Sequence, residues 1–323
     1  MSAVIDLSNY RENMAYVGQK PWHGLGQELK PGMPLEVWRR EAGLEFEYRT
    51  SPILFDVGHP VGELEQFDDK FVIYRSDTKA PMAVVSNRYH PVQPKEIIEF
   101  FRELIDIHGF EMETAGSLKG GSVIWALAKT GLDFSFGRDT CHQYALLMTS
   151  CDTKLATRAT LTAVRVVCWN TLSAALNRAE TDLVVVRHSQ QFNQRMVKQN
   201  LGFVESTWDQ FADASKAMTK TRLKDVDVKT AIIRIFGDPE RDADDQPQQR
   251  AMAKVLELFN GKAKGANLPS ADGTAWGLLN AVTEYVDHHT VERQSGGRLA
   301  SAWTGVGKRI KDKALDACVE MAA

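Results

Sequence analysis

The chain has 323 residues and a formal net charge of −3, from 39 Lys and Arg against 42 Asp and Glu, with 43% hydrophobic and 25% charged residues. That length holds one large core or two modest ones, and the charge balance excludes a protein coated in positive charge while leaving room for a local basic groove. The 4 cysteines form no CxxC pair, no run approaches the roughly 18 apolar residues of a membrane span, and the start MSAVIDLSNYREN does not read as a signal peptide, so the expectation is a reduced, cytoplasmic setting.

Pro21, Gly24, Gly26, Pro31, Gly32 and Pro34 make the opening a turn-rich loop. Its Trp22-His23-Gly24 cluster reads either as a stacking platform for a ligand or as a loop pinned to the core by its Trp. A short amphipathic helix starts at Leu35, with Pro34 suited to the first turn. The runs Ser51–Val57, Lys70–Arg75 and Pro81–Val85, separated by turn signals, predict an antiparallel meander. A helix follows, from Pro94 to a stop at Gly109, with Ile97, Ile98, Phe101, Leu104 and Ile105 on one stripe. Three more strands are predicted at Phe110–Ser117, Ser122–Thr130 and His142–Ser150, the first two joined by the turn Lys119-Gly120-Gly121.

The stretch Thr160–Asn177, TLTAVRVVCWNTLSAALN, carries a β-branched run, but its length and period predict a helix with Leu161, Val164, Cys168, Leu172, Ala175 and Leu176 on one stripe. Arg165 falls within that stripe. A guanidinium keeps its charge, so a buried one must meet a carboxylate, carbonyl oxygens or a phosphate. Two readings stand: an internal ion pair or capping contact, and an anion-binding cleft beside the helix.

The rest reads as mainly helical: Phe192 to Lys220, Val228–Phe236, Ala251–Phe259, a helix after a Thr274 cap, and Lys308 to Met321. GDPERDADDQPQQ reads as an exposed acidic linker near 237–249. The expected class is α+β: an antiparallel sheet with helices on one face in residues 1–188, built as helix, three strands and helix, then a helical C-terminal region in 189–323.

No motif specifies a reaction. HExxH, GxSxG and a Walker A loop are absent, the adjacent His288 and His289 diverge on a helix, and no cofactor is expected. What remains is a cationic set. Lys154, Arg158 and Arg165 surround the entry to the central helix, where backbone N–H groups favour anions, and Arg88 and Tyr89 lie in another connection beside the sheet. Trp169 and Tyr89 could stack on bases, Asn170 could position backbone or base, and Lys308 and Lys311 could form a secondary phosphate site. The alternative is a solvated rim of ordinary surface charge.

Three stretches, MAYVGQKPWHGLG, LTAVRVVCWNTLSAAL and TAWGLLNAVTEYVDHH, together resemble the phage/plasmid-like protein family, a domain-of-unknown-function group numbered 932 that is encoded mainly by bacteriophages, plasmids and integrative elements. Gly24, Arg165, Cys168, Asn170, Trp276 and His288 match its motifs, and the family implies a mobile-element setting in a bacterial host cell without an established catalytic residue. The expected architecture is also similar to the core of single-strand annealing proteins, which form rings or filaments on single-stranded DNA. The leading expectation is therefore a non-enzymatic, cytoplasmic, homo-oligomeric protein that binds single-stranded DNA and takes part in annealing or recombination. The rival expectation is a protein–protein interaction module, such as an anti-defence or host-takeover factor, with Arg165 in an internal ion pair. An exposed apolar patch favours the rival, and a continuous positive groove favours DNA.

Overall fold

The computed structural model describes residues 13–18, 26–58, 62–165, 170–173, 183–201, 205–238, 240–241, 247–290, 301–303 and 305–323. The chain divides into two compact units that interleave in sequence. The first comprises Met1–Thr130, Ala145–Thr160 and Leu183–Gly202; the second comprises Gly131–Tyr144, Leu161–Asp182 and Phe203–Ala323. The expected division at 188 follows sequence order, whereas these units exchange segments.

In the first unit, β1 (Met14–Val17) runs parallel to β2 (Gln27–Leu29), and α1 (Leu35–Glu41) follows. The predicted meander is present as β3 (Tyr48–Asp56), β4 (Leu64–Arg75) and β5 (Pro81–Ser86), a separate three-stranded sheet in that order. The predicted single helix is two short ones, α2 (Pro94–Glu99) and α3 (Arg102–His108), and Gly109 ends the second with φ 68. Pro94 opens the first turn as expected, and the Glu96 carboxylate accepts the Gln93 N–H at 2.8 Å.

The larger sheet contains β6 (Glu111–Leu118), β7 (Val123–Phe136), β8 (Asp139–Ser150), β9 (Thr157–Arg165), β10 (Asn170–Ser173) and β11 (Leu183–Val186). Its strand order is β10-β9-β8-β7-β6-β1-β2, with β11 also on β9. The first half of β9 pairs with β11 (Thr160 opposite Leu183) and its second half with β10 (Arg165 opposite Asn170).

The helix expected over Thr160–Asn177 is corrected here: its described residues form β9 and β10, an antiparallel pair. The cause is burial on both faces. Leu161, Thr162, Ala163, Val164 and Arg165 are all buried, so the strand loses the apolar–polar alternation that marks a half-exposed strand and matches a helical stripe by default. The β-branched residues then decide the matter, since they pack well on a pleated surface and lose rotamer freedom in a helix.

The second unit is mainly helical: α5 (Glu205–Lys220), α6 (Asp225–Phe236), α7 (Gln249–Glu257), α8 (Ala275–Glu284) and α9 (Val306–Ala322), while α4 (Gln194–Leu201) belongs to the first. Its core gathers Trp208, Phe211, Ile232, Val255, Trp276 and Leu279. Phe134 of β7 packs its ring 5.0 Å from Trp208. Thr274 caps α8 as expected, its hydroxyl accepting the Gly277 N–H at 3.1 Å. The expected α+β class with a helical C-terminal region is borne out. No helix among the described residues is long and apolar enough to cross a membrane.

Candidate functional site

Arg165 closes β9, and Asp139 opens β8 just after the tight turn at Gly137 (φ 66). Their side chains meet within the second unit, each 1% exposed. Arg165 Nε donates to Asp139 Oδ1 at 2.6 Å and Nη2 to Oδ2 at 2.7 Å, the fork-to-fork pairing for which a guanidinium is shaped. Asp139 Oδ2 also accepts from Ser270 Oγ (2.6 Å) and Trp276 Nε1 (3.0 Å). Arg165 donates further to the carbonyls of Lys264 (3.4 Å) and Gly265 (3.2 Å). Burial pushes the Asp139 carboxyl up, but the Arg165 hydrogen bonds and charge, with Ser270 and Trp276, outweigh it and hold the pKa below the usual carboxylate range.

This centre pins two strands and the 264–270 loop together. It presents no open coordination position and no activated nucleophile. Of the two readings of Arg165, the internal ion pair is the one observed. As a phosphate contact Arg165 is corrected, because the side chain is sealed from solvent and both faces of its fork are occupied.

The other predicted contacts are divided between the two units. Arg88 and Lys154 are exposed, and Lys154 Nζ lies 3.8 Å from Asp152. Tyr89 is half-buried, its ring stacks on His188 (centroids 4.7 Å apart, planes at 24°), and its hydroxyl donates to the Ser150 carbonyl at 3.1 Å. Arg158 is half-buried, and burial lowers its pKa. Lys311 is corrected as a phosphate site, being buried with its ammonium 2.9 Å from Asp287 Oδ1. Lys308 is paired with Asp312 at 2.7 Å. Asn170 lies in β10 opposite Arg165, while Trp169 lies outside the described residues, as do Trp22, His23, Gly24 and Cys168. In the first unit Arg88 and Lys154 stay exposed, whereas in the second Arg165 and Lys311 are spent on internal ion pairs. Among the described residues no group of three or more His, Cys, Asp or Glu is placed to hold a metal ion.

What the sequence does not predict is the distal part of the β3–β4 hairpin of the first unit, where β4 starts at Leu64 and not at Lys70. The hairpin's root is bolted down. Tyr48 and Arg75 are opposite each other in the ladder; Tyr48 Oη donates to the Gly121 carbonyl at 2.5 Å, and its N–H to Gln93 Oε1 at 2.9 Å. Arg75 is buried over the Phe46 ring (3.9 Å) and donates to the Asp77 carboxylate (2.7 Å) and the Gly120 carbonyl (2.9 Å).

Beyond the root, the hairpin outruns its own sheet. Pairing of β4 with β5 stops at Lys70 opposite Ser86, yet β4 continues to Leu64 and β3 to Asp56. This distal ribbon exposes Leu54 (53%), Phe55 (44%), Leu64 (57%) and Phe67 (48%). Register sorts them by face: Ile53, Phe55 and Phe67 stand on one side, Leu54 and Leu64 on the other. Between them lie five exposed carboxylates, Asp56, Glu63, Glu65, Asp68 and Asp69, and residues 53–69 hold no Lys or Arg. The sequence offers Leu64 and Phe67 on either side of Glu65 and Gln66, but only the register sets that pair opposite Phe55 and Leu54, with the apolar side chains exposed.

The family model described as Domain of unknown function (DUF932) matches residues 81–303. The match takes in Asp139, Arg165, Ser270 and Trp276 and begins after the β3–β4 ribbon. No curated protein and no solved structure matches the chain.

Proposed function

The chain belongs to the domain-of-unknown-function 932 family, which brings no chemistry with it, and from the geometry we propose that the protein is a protein–protein interaction module that engages its partner through the distal β3–β4 ribbon. One observation carries the reading: large apolar side chains stand exposed on both faces of a two-stranded ribbon. A lone hairpin is marginally stable in water, and a contiguous exposed apolar patch marks a contact surface. The bolted root supports the same reading, because an anchored arm presents its tip without unfolding the unit behind it. The internal pairing of Arg165 is what the interaction reading expected of that residue. A phage, plasmid or integrative-element setting, and a role as an anti-defence or host-takeover factor, extend this proposal on the strength of the resemblance.

A photo-crosslinking amino acid at Leu54 or Leu64 tests it in the cells that make the protein. The expected result is one discrete protein adduct at both positions, absent when the crosslinker replaces the exposed Val226 of α6, and reproduced with the purified partner. Binding should be lost when Leu54, Phe55, Leu64 and Phe67 become threonine. A labelled single-stranded oligonucleotide that binds the chain, is unaffected by those threonines and is lost with Arg88→Ala and Lys154→Ala would overturn the reading in favour of nucleic acid.

A further inference from the structure

We propose that the outer edge of β4, from Leu64 to Phe67, accepts a β-strand from the partner, and that this strand alternates Lys or Arg with apolar residues. The inference rests on the reading of the ribbon as a contact surface and adds the backbone and the charge to it.

The backbone argument starts from the turn. Val57 N–H donates to the Glu63 carbonyl at 3.2 Å, continuing the register Asp56 opposite Leu64 and Phe55 opposite Glu65. In an antiparallel pair, hydrogen-bonded and non-hydrogen-bonded positions alternate. Val57/Glu63, Phe55/Glu65 and Ile53/Phe67 therefore exchange bonds within the hairpin, which turns the N–H and C=O of Leu64 and Gln66 outward. The partner strand on that side, β5, ends at Ser86 opposite Lys70, so among the described strands nothing pairs with β4 beyond that point. A strand added there would lie beyond the end of β5, on the same side of β4 and past the bulge at Asp68–Lys70.

The two edges of the ribbon differ. On β4 the register jumps, Pro52 standing opposite Phe71 but Ile53 opposite Phe67, so Asp68, Asp69 and Lys70 bulge out of the β3 ladder, and on β3 Pro52 has no N–H to donate. A bulge and a proline are two of the ways in which proteins close an edge to pairing. The outer edge of β4 between Leu64 and Phe67 has neither. Its protection is charge, with the bulge at its inner end. Five carboxylates repel a second copy of the same ribbon and attract a cationic strand, so one feature both blocks self-pairing and selects the partner. The faces set the pattern: a residue opposite Glu65 stands beside Glu63 and Phe67 and is served by Lys or Arg, while its neighbours opposite Leu64 and Gln66 are served by apolar side chains.

The test is fluorescence anisotropy of the full chain with a labelled ten-residue peptide alternating Lys and Val. The expected result is binding that weakens as salt rises, at least tenfold weaker binding of the Glu/Val peptide, and reversal of that preference in the Glu63→Lys/Glu65→Lys variant. Gln66→Pro removes an outward N–H that no internal bond uses and should abolish binding. Because that variant alters the protein, a second arm leaves the chain intact: N-methylation of the peptide at alternate residues should abolish binding in one phase and spare it in the other. Equal binding of both methylated peptides, or of the Lys/Val and Glu/Val peptides, overturns the strand slot. If the threonine variants lose the crosslinked partner while Gln66→Pro keeps it, the contact surface stands and the strand slot falls. A dimer that the peptide dissolves would place a second copy in the slot and overturn the proposal, as would an oligonucleotide that displaces the peptide.

Discussion

The Asp139–Arg165 centre of the second unit and the β3–β4 ribbon of the first invert each other. At the centre, charges lie inside, and the guanidinium and carboxylate hold each other through two hydrogen bonds. On the ribbon, greasy side chains lie outside and backbone groups along one edge of β4 have no described partner. Residues that look functional in sequence, an arginine and an aspartate, are spent on architecture; residues that look architectural, leucines and phenylalanines on a strand, are left for a contact. A buried ion pair is weak evidence for stability over an apolar alternative, but breaking one is costly because the survivor stays buried and charged. An exposed apolar residue has the opposite signature: removing it costs the fold little.

That asymmetry is breakable by mutation. The largest effect belongs to Arg165→Ala, which strands the Asp139 carboxylate and should destabilise the protein by about 3–5 kcal/mol in urea titration. A loss below about 1 kcal/mol would mean that the centre holds nothing together. Next comes Gly277→Ala in the first turn of α8. A Cβ there would overlap the Ala271 carbonyl oxygen, next to the Ser270 that donates to Asp139. Overpacking against backbone should cost about 1–3 kcal/mol in the same titration.

Acid sharpens the comparison without mutation. The Asp139 pKa is depressed in the folded protein, so its contribution is present above the unfolded pKa of about 3.9 and is lost as pH falls through the folded value below it. Melting followed from pH 6 downward should show this loss below about pH 4, and Asp139→Asn should flatten that part of the profile. The smallest effect belongs to the ribbon. Threonine at Leu54, Phe55, Leu64 or Phe67 keeps a good strand former and should shift stability by no more than about 0.5 kcal/mol per site. A loss as large as that of a core deletion would show these side chains packing within the protein's own fold, and the contact reading would go with it.

Much of the fold was legible because its signals are local. Thr274 caps α8, Gly109 ends α3 in the left-handed region, and the meander's turns announce themselves. The centre was half legible. Arg165 could be named as a buried cation needing a partner, but its carboxylate is 26 residues away, and the Ser270 hydroxyl reaches that carboxylate across 131 residues. The distal part of β4 was missed for another reason: Asp68-Asp69 is a turn signal, so the strand was expected to begin only at Lys70.

By itself the sequence determined the α+β class, the helical C-terminal half, the family and the presence of a guanidinium that had to be neutralised, because composition, capping and periodicity act over a few residues. Only the tertiary structure decided that β9 is a strand, that Asp139 meets Arg165, and that Leu54, Phe55, Leu64 and Phe67 face away from any described core. Those three outcomes depend on which distant segment arrives opposite each side chain, and a short-range pattern carries no record of that.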